Sequence, residues 1–224
     1  MKVRQYLAYL TPIHGVVPKT FSNLGSQIGD ERPISLVRFA PNGETLATGS
    51  WSGSVKFWNV PACTLIRTLR GELNHLFWGP SSFRLLGHSD RVGGVAWHPQ
   101  ATLSQSVDSV NLVSGAGDAC VNVWSLNRCV RLVTSCHFIC SPPSCSETPI
   151  AVMKGHQDRI CRVAFHPSGN YVASASFDTT WRLWDINTSK EILLQEGHSR
   201  EVYTVEFQDD GALAASAYVI FYSP

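Results

Sequence analysis

Charge is scarce in this 224-residue chain: Asp, Glu, Lys and Arg make up 16% of it. Eighteen Lys and Arg face seventeen Asp and Glu, a net charge of +1. No field of one sign therefore draws the chain to nucleic acid or to an anionic membrane. No apolar run reaches the roughly 20 residues of a transmembrane helix. The opening stretch, MKVRQYLAYLTPIHGVV, is a poor signal peptide, because Thr11, Pro12 and His14 break its apolar run. Two catalytic signatures are missing as well. There is no Gly-rich phosphate loop and no Gly-x-Ser-x-Gly elbow. Disorder is excluded by composition, since 44% of residues are apolar and a core can form.

What is present is a repeat. From Gly155 the chain reads GHQDRICRVAFHPSGNYVASASFDTTWRLWD. From Gly87 it reads GHSDRVGGVAWHP and then VNLVSGAGDACVNVWS. From Gly197 a shorter copy reads GHSREVYTVEFQDDGALAASA. A copy from Arg32, RPISLVRFAPNGETLATGSWSGSVKFWN, lacks the Gly-His pair. In the fullest unit Ile160, Val163 and Phe165 mark a strand, HPSGN a turn, and YVASASF a crowded inner strand. SFDTT is then a hairpin turn, TWRLWD a third strand and KEILLQE a fourth. Four short antiparallel strands per roughly 40–45 residues, with Gly-His and Trp-Asp marks, resemble the WD-repeat β-propeller family. The fold expected is all-β, a partial WD40 propeller of about three and a half four-stranded blades out of seven.

That resemblance implies a buried hydrogen-bond tetrad in each blade: His156, Asp178, Ser174 and Trp184 in the third unit, His88, Asp118, Ser114 and Trp124 in the second. The first unit has Ser52 where the Asp belongs, and Glu72 follows Gly71. Its tetrad is expected to be broken. A His-Asp-Ser set also describes a hydrolase. Recurrence at one spacing in several units marks a scaffold element instead, so no catalytic residue is expected. His98 and His166 are read as turn residues.

Some strings are more specific than the repeat. SQIGD with RPIS, WSG in the first unit, a long loop ending in VNL in the second, and RLWD followed by EILLQEGHS in the third closely resemble the WD-repeat subunit of the spliceosomal U4/U6 small nuclear ribonucleoprotein, the Prp-four-type splicing factors. The likeness covers residues 26–71, 88–127 and 146–216. It implies a non-catalytic nuclear scaffold of the U4/U6 and U4/U6.U5 particles. The implied partners are the subunit that binds the U4/U6 RNA duplex, a nuclear cyclophilin and U4/U6 and U5 particle proteins. Contact with U4/U6 RNA would be mainly indirect; no cofactor, metal or membrane is implied. An adaptor of another complex, such as a ubiquitin-ligase receptor or chromatin scaffold, is the main alternative.

Partner contacts are expected on the loops that lead into first strands, at Arg91, Arg159 and Arg200, and beside the Asp turns, at Trp51 and Phe177. Aromatic residues next to Arg are the composition of interface hot spots; the alternative is that both rings pack over neighbouring loops. Arg91 and Arg159 also suit RNA phosphate, but the net charge ranks protein first.

Two stretches interrupt the repeat. Trp184 to His198 is 14 residues, whereas Trp58 to His88 is 30 and Trp124 to His156 is 32. Removing 72–87 rejoins LRG to HSDRV, and removing 128–145 restores the 14-residue spacing. The expected layout is an unmatched segment 1–25, a first blade 26–71, an insertion 72–87 and three strands of the second blade in 88–127. A Cys-rich insertion 128–145 follows, then 146–197 with the last strand of that blade and the third blade, a shortened fourth blade 198–217, and a tail 218–224. Both insertions and the tail read as translated intron, and the polypeptide as written would then be a non-functional product. With two uncovered blade sides, it is expected to be aggregation-prone alone.

Seven cysteines are an odd number, which favours a reducing compartment. Cys63, Cys120 and Cys161 are isolated and expected to be buried. Cys129, Cys136, Cys140 and Cys145, with His137, have spacings C-x6-C-x3-C-x4-C without the C-x2-C pair of zinc ribbons. They read as a loop with reactive thiols before they read as a zinc site. An enzyme built on them is the weakest alternative. Sequencing the spliced messenger is expected to show transcripts lacking 72–87 and 128–145; transcripts that all retain both segments would refute the intron reading.

Overall fold

A computed structural model describes residues 4–8, 23–60, 62–69, 87–102, 109–126 and 149–219. Every regular element in them is a strand. β1 (Arg4–Ala8) and β2 (Asn23–Ile28) form a two-stranded antiparallel ribbon in what was expected to be an unmatched segment. β3 (Ile34–Phe39), β4 (Thr45–Ser50), β5 (Val55–Asn59) and β6 (Thr64–Leu69) make the first four-stranded sheet, in chain order. The second holds β7 (Val92–Trp97), β8 (Leu112–Ala116), β9 (Cys120–Trp124) and β10 (Ala151–Lys154). In it Ala151 pairs with Val123 and Lys154 with Cys120, so β10 closes this sheet and not the next. The third holds β11 (Ile160–Phe165), β12 (Tyr171–Ser176), β13 (Trp181–Asp185) and β14 (Lys190–Gln195). β15 (Val202–Phe207) pairs with β16 (Ala214–Tyr218), which runs one residue past the boundary drawn at 217. The expected insertions at 72–86 and 128–145, and 220–224 of the tail, lie outside the described residues, as do the four clustered cysteines and His137.

The four units share more than strand number. Each has an irregularity at the start of its first ladder, between Ile34 and Leu36, Val92 and Gly94, Ile160 and Arg162, and Val202 and Thr204. A bulge there bends the first strand. The second strand is buried along its whole length in β4 and β8, which explains its small residues: Ala47, Thr48, Gly49 and Ser114, Gly115, Ala116. A larger side chain would meet the next blade. A Cβ on Gly49 would stand 2.8 Å from Val92 Cγ1.

The core lies between sheets, not within one. Phe57 and Leu69 of the first meet Val92, Val95, Trp97 and Leu112 of the second. Val113, Val121 and Met153 of the second meet Ile160, Val163 and Val172 of the third. Ala173 and Ala175 of the third meet Val202 and Val205. First strands lie side by side in the order β3, β7, β11, β15. Glu206 of β15 accepts from Arg162 of β11 at 2.7 Å and from Arg38 of β3 at 3.2 Å, so the row of sheets curves back on itself. This is the expected partial propeller. Beside the two-stranded fourth sheet, the outer strand β14 leaves Ile192, Leu193 and Leu194 exposed.

His98 and His166 do more than form turns: they join blades. His166 Nδ1 accepts the Ser168 N–H at 3.1 Å, so its Nε2 carries the proton and donates to the Gly211 carbonyl of the fourth unit at 3.1 Å. His98 lies likewise against Gly169 of the third unit, and burial lowers its pKa, although contact with the Gly169 backbone opposes this. Gly169 and Gly211 have φ of +78° and +76°, and a methyl on either would collide with the imidazole. Gly169→Ala and Gly211→Ala should each lower unfolding free energy by about 1–3 kcal/mol in urea titration, from left-handed strain plus displacement of the ring; a change below about 0.5 kcal/mol would refute the staple.

Candidate functional site

Both expected tetrads are assembled at the same end of their blades. Trp184 Nε1 donates to Ser174 Oγ at 2.8 Å, Ser174 Oγ lies 2.7 Å from His156 Nε2, and His156 Nδ1 lies 2.7 Å from Asp178 Oδ2. In the second blade Trp124 Nε1 to Ser114 Oγ, Ser114 Oγ to His88 Nε2, and His88 Nδ1 to Asp118 Oδ2 measure 2.7, 2.7 and 3.0 Å. The protons can be counted. The indole donates to the hydroxyl, the hydroxyl to Nε2, and Nδ1–H to the carboxylate. Every group is satisfied when the imidazole is neutral. Burial lowers the His156 pKa, against a weaker opposing pull from Asp178. The carboxylate ends the chain and also accepts the Gln157 or Ser89 backbone N–H, which ties the loop leading into β11 or β7 to the β-turn. Burial alone would raise the Asp118 and Asp178 pKa values. The hydrogen bonds from His88 to Asp118, and from Thr180 and His156 to Asp178, overcome it and leave both lowered.

This arrangement does not make a nucleophile. Ser114 and Ser174 are wholly buried. Each hydroxyl oxygen already accepts an indole N–H, and no groove reaches it. The fourth unit repeats the inner link, with His198 Nε2 2.8 Å from Ser216 Oγ.

The first blade corrects the expectation of a broken network. Asp30 fills the gap. It follows Gly29 and stands 28 residues before Trp58, the spacing of His156 to Trp184. Its Oδ2 accepts from Ser52 Oγ at 2.8 Å and Ser54 Oγ at 2.7 Å, and Lys56 Nζ lies 3.4 Å away. Its Oδ1 accepts the Glu31 N–H at 2.6 Å. Burial pushes against ionisation, yet these hydroxyls, the N–H and the Lys56 charge hold the carboxyl well below the usual range. Lys56 Nζ also donates to the Gly29 carbonyl at 2.9 Å, and Trp58 Nε1 donates to Thr48 at 3.1 Å. The carboxylate and a hydroxyl have each moved one place along the chain of bonds: Asp stands where the histidine belongs and Ser where the Asp belongs. A search for Gly-His misses this; the constant spacing to the Trp would have found it.

The expected partner face is partly brought together. The Arg91 guanidinium lies over the Trp51 ring at 4.8 Å and that of Arg159 over Phe177 at 3.7 Å. Phe177 also meets Tyr203, with ring centres 4.9 Å apart. All five border one groove of about 680 Å³. Arg200 is exposed but outside it, one residue out of register, for Glu201 stands where Arg91 and Arg159 stand. Both rings do pack over neighbouring loops, yet Trp51 stays 47% exposed. Among the described residues, no three His, Cys, Asp or Glu are grouped to hold a metal. Cys63, Cys120 and Cys161 are half-buried instead of buried; burial raises the Cys120 pKa and pushes Cys161 up to about 11, so both thiols stay protonated.

Repeated blades locked by His–Ser–Trp chains define a WD-repeat protein. The chain belongs to the WD domain, G-beta repeat family, which matches residues 21–59, 79–125 and 147–185. It is 34% identical to the U4/U6 small nuclear ribonucleoprotein PRP4 of Saccharomyces cerevisiae over 77% of this chain and 30% of that protein. It is 42% identical to the Mus musculus U4/U6 small nuclear ribonucleoprotein Prp4 over 44% of this chain and 16% of that one. It is 41% identical to an uncharacterized WD repeat-containing protein of Schizosaccharomyces pombe over 69% and 26%. The chain thus spans 16–30% of the length of these curated relatives.

Two predictions follow from the tetrads. All four shifted groups, Asp30, Asp118, Asp178 and His156, have folded values below their unfolded ones, so their contribution to stability is present at neutral pH and lost on acidification. Unfolding free energy should fall as pH drops below the ordinary histidine value of 6.5, and further below about 4; a profile flat across that range would contradict the assignment. Restoring the family residue at 52 should harm the first blade. Ser52→Asp places a second carboxylate against Asp30 and should cost about 1–3 kcal/mol. Asp30→His with Ser52→Asp should recover most of that loss in a double-mutant cycle, and additive effects would refute the exchange.

Proposed function

We propose that this chain is a non-catalytic, nuclear WD-repeat scaffold of U4/U6-type small nuclear ribonucleoproteins, acting in pre-mRNA splicing by docking other proteins. The observation that carries this is the 34% identity to a U4/U6 small nuclear ribonucleoprotein PRP4 over 77% of the chain. Three features support a docking role. Hydrogen-bond networks hold the loops at one end of the first three blades. Those loops present Trp51, Arg91, Arg159 and Phe177 around one groove. The only His-Asp-Ser sets among the described residues are sealed from solvent.

The partners proposed are the subunit that binds the U4/U6 duplex, a nuclear cyclophilin and other U4/U6 and U5 proteins. U4/U6 RNA would be held mainly through them. An epitope-tagged chain should localise to the nucleus and recover U4 and U6 RNA together from extract, with Arg159→Ala or Trp51→Ala weakening the recovery several-fold. Recovery no better than that of an unrelated WD-repeat protein would overturn the proposal. Loss-free recovery by both variants would remove this face from it.

A further inference from the structure

The groove itself says what chemistry it takes. Arg91 and Arg159 are exposed, and among the described residues neither has a carboxylate within ion-pair distance. The acids beside them are spent on backbone. Asp90 Oδ1 accepts the Arg91 N–H at 2.7 Å, and Asp158 Oδ1 accepts the Arg159 N–H at 2.6 Å. Each guanidinium lies against a ring, with Cζ 4.8 Å from the Trp51 centroid and 3.7 Å from that of Phe177. Such contact uses up no N–H donor, and a guanidinium carries the planar fork that grips a carboxylate with two bonds. The contact also restrains a long side chain beforehand, so less freedom is lost on binding.

Between the two stacks lies Gly117. It occupies the place that Trp51 holds in the first blade and Phe177 in the third. Where those blades project a ring, the second has none, and the Asp90 carboxylate lies against the glycine instead: a Cβ on Gly117 would stand 2.5 Å from Asp90 Oδ2. Gly117 contributes to the lining of the groove together with Val92 and Tyr203. The groove therefore runs between two unpaired cations, with Asp90 the one acid on its wall.

We propose that this groove binds an extended acidic segment of a partner protein, its carboxylates on the free edges of Arg91 and Arg159. The proposal rests on the docking reading of this face and adds the partner's chemistry to it. Single-stranded RNA fits less well. Base stacking needs a free aromatic face. Here Arg91 takes one face of Trp51, and Phe177 lies between Arg159 and Tyr203. Tight binding of phosphate also requires several cations together, and the chain as a whole carries only +1.

The test is fluorescence anisotropy with the full chain and three probes: a fluorescein-labelled peptide of Glu and Leu, the same peptide with Lys for Glu, and a labelled oligouridylate. The Glu peptide should bind about tenfold or more tightly than either other probe, and should weaken with added salt. Arg91→Ala and Arg159→Ala should each weaken it about tenfold. Arg91→Lys and Arg159→Lys, which keep the charge but lose the planar fork, should weaken it less. Circular dichroism should show all these variants folded, and the lysine variants serve where an alanine variant is not. Equal binding of the two peptides, oligouridylate binding more tightly, or unchanged affinity in the Arg91→Ala/Arg159→Ala double variant would each overturn the proposal. Binding of the Glu peptide without recovery of U4 and U6 RNA would keep this groove and discard the splicing assignment. The opposite pair of results would discard the groove alone.

Discussion

A buried indole N–H must find an acceptor, and the architecture of each blade follows from how it does so. Trp58, Trp124 and Trp184 are each at most 5% exposed. Leaving such a donor unpaired costs about 1–3 kcal/mol. In each blade the acceptor is a hydroxyl on the second strand, at Thr48, Ser114 or Ser174. That strand is sealed between blades, so its hydroxyl needs a partner in turn. In the second and third blades the partner is an imidazole brought in by the preceding loop, and a carboxylate in the turn completes the chain. The network thus fastens three separate segments at one end of the blade: the loop before the first strand, the second strand and the turn before the third.

The first blade shows which part of this is negotiable. The Trp-to-hydroxyl bond is kept, because the core demands it. The outer half is rebuilt from Asp30, Ser52, Ser54 and Lys56. A carboxylate with two hydroxyls and an ammonium closes the same loop onto the same turn. The change alters the response to pH: His156, its pKa lowered by burial, upsets its network on protonation below the ordinary histidine value, whereas this one holds until its carboxylate protonates, far lower. One chain therefore carries two chemical solutions to one geometric requirement.

Rigid loop ends are what make a docking face out of a sheet end. Asp118 and Asp178 hold the neighbouring loops by their backbone, which leaves the next residues free to project. Arg91 and Arg159 do so at matching places, and the rings beneath them differ: Trp51 from the neighbouring blade under Arg91, Phe177 from the same blade under Arg159. Gly117 breaks the pattern, and the Asp90 carboxylate lies against it in place of a ring.

The repeat, the strand count and the eight tetrad residues of the second and third blades were legible in the sequence, because each is a local pattern at a constant spacing. Alternation and turn chemistry set strands, and a Gly-His 28 residues before Trp184 set the histidine. The interruption within LRGELNHLFWGPSSFRLLGHSDRV was read from the same spacing, and its residues 72–86 lie outside the described ones. The pairing of β10 with β9 also agrees with the spacing once 128–145 is set aside. Tertiary structure alone decided the rest. The spacing of Asp30 to Trp58 is in the sequence, but that Ser52, Ser54 and Lys56 gather on its carboxylate depends on side chains converging from segments more than 20 residues apart. That His98 and His166 bridge to Gly169 and Gly211, and that Arg91 covers a ring of the blade before it while Arg200 stays outside the groove, depends on how one blade lies against the next. Contacts within a blade repeat and so leave a period in the chain. Contacts between blades join residues whose spacing means nothing until the sheets are stacked.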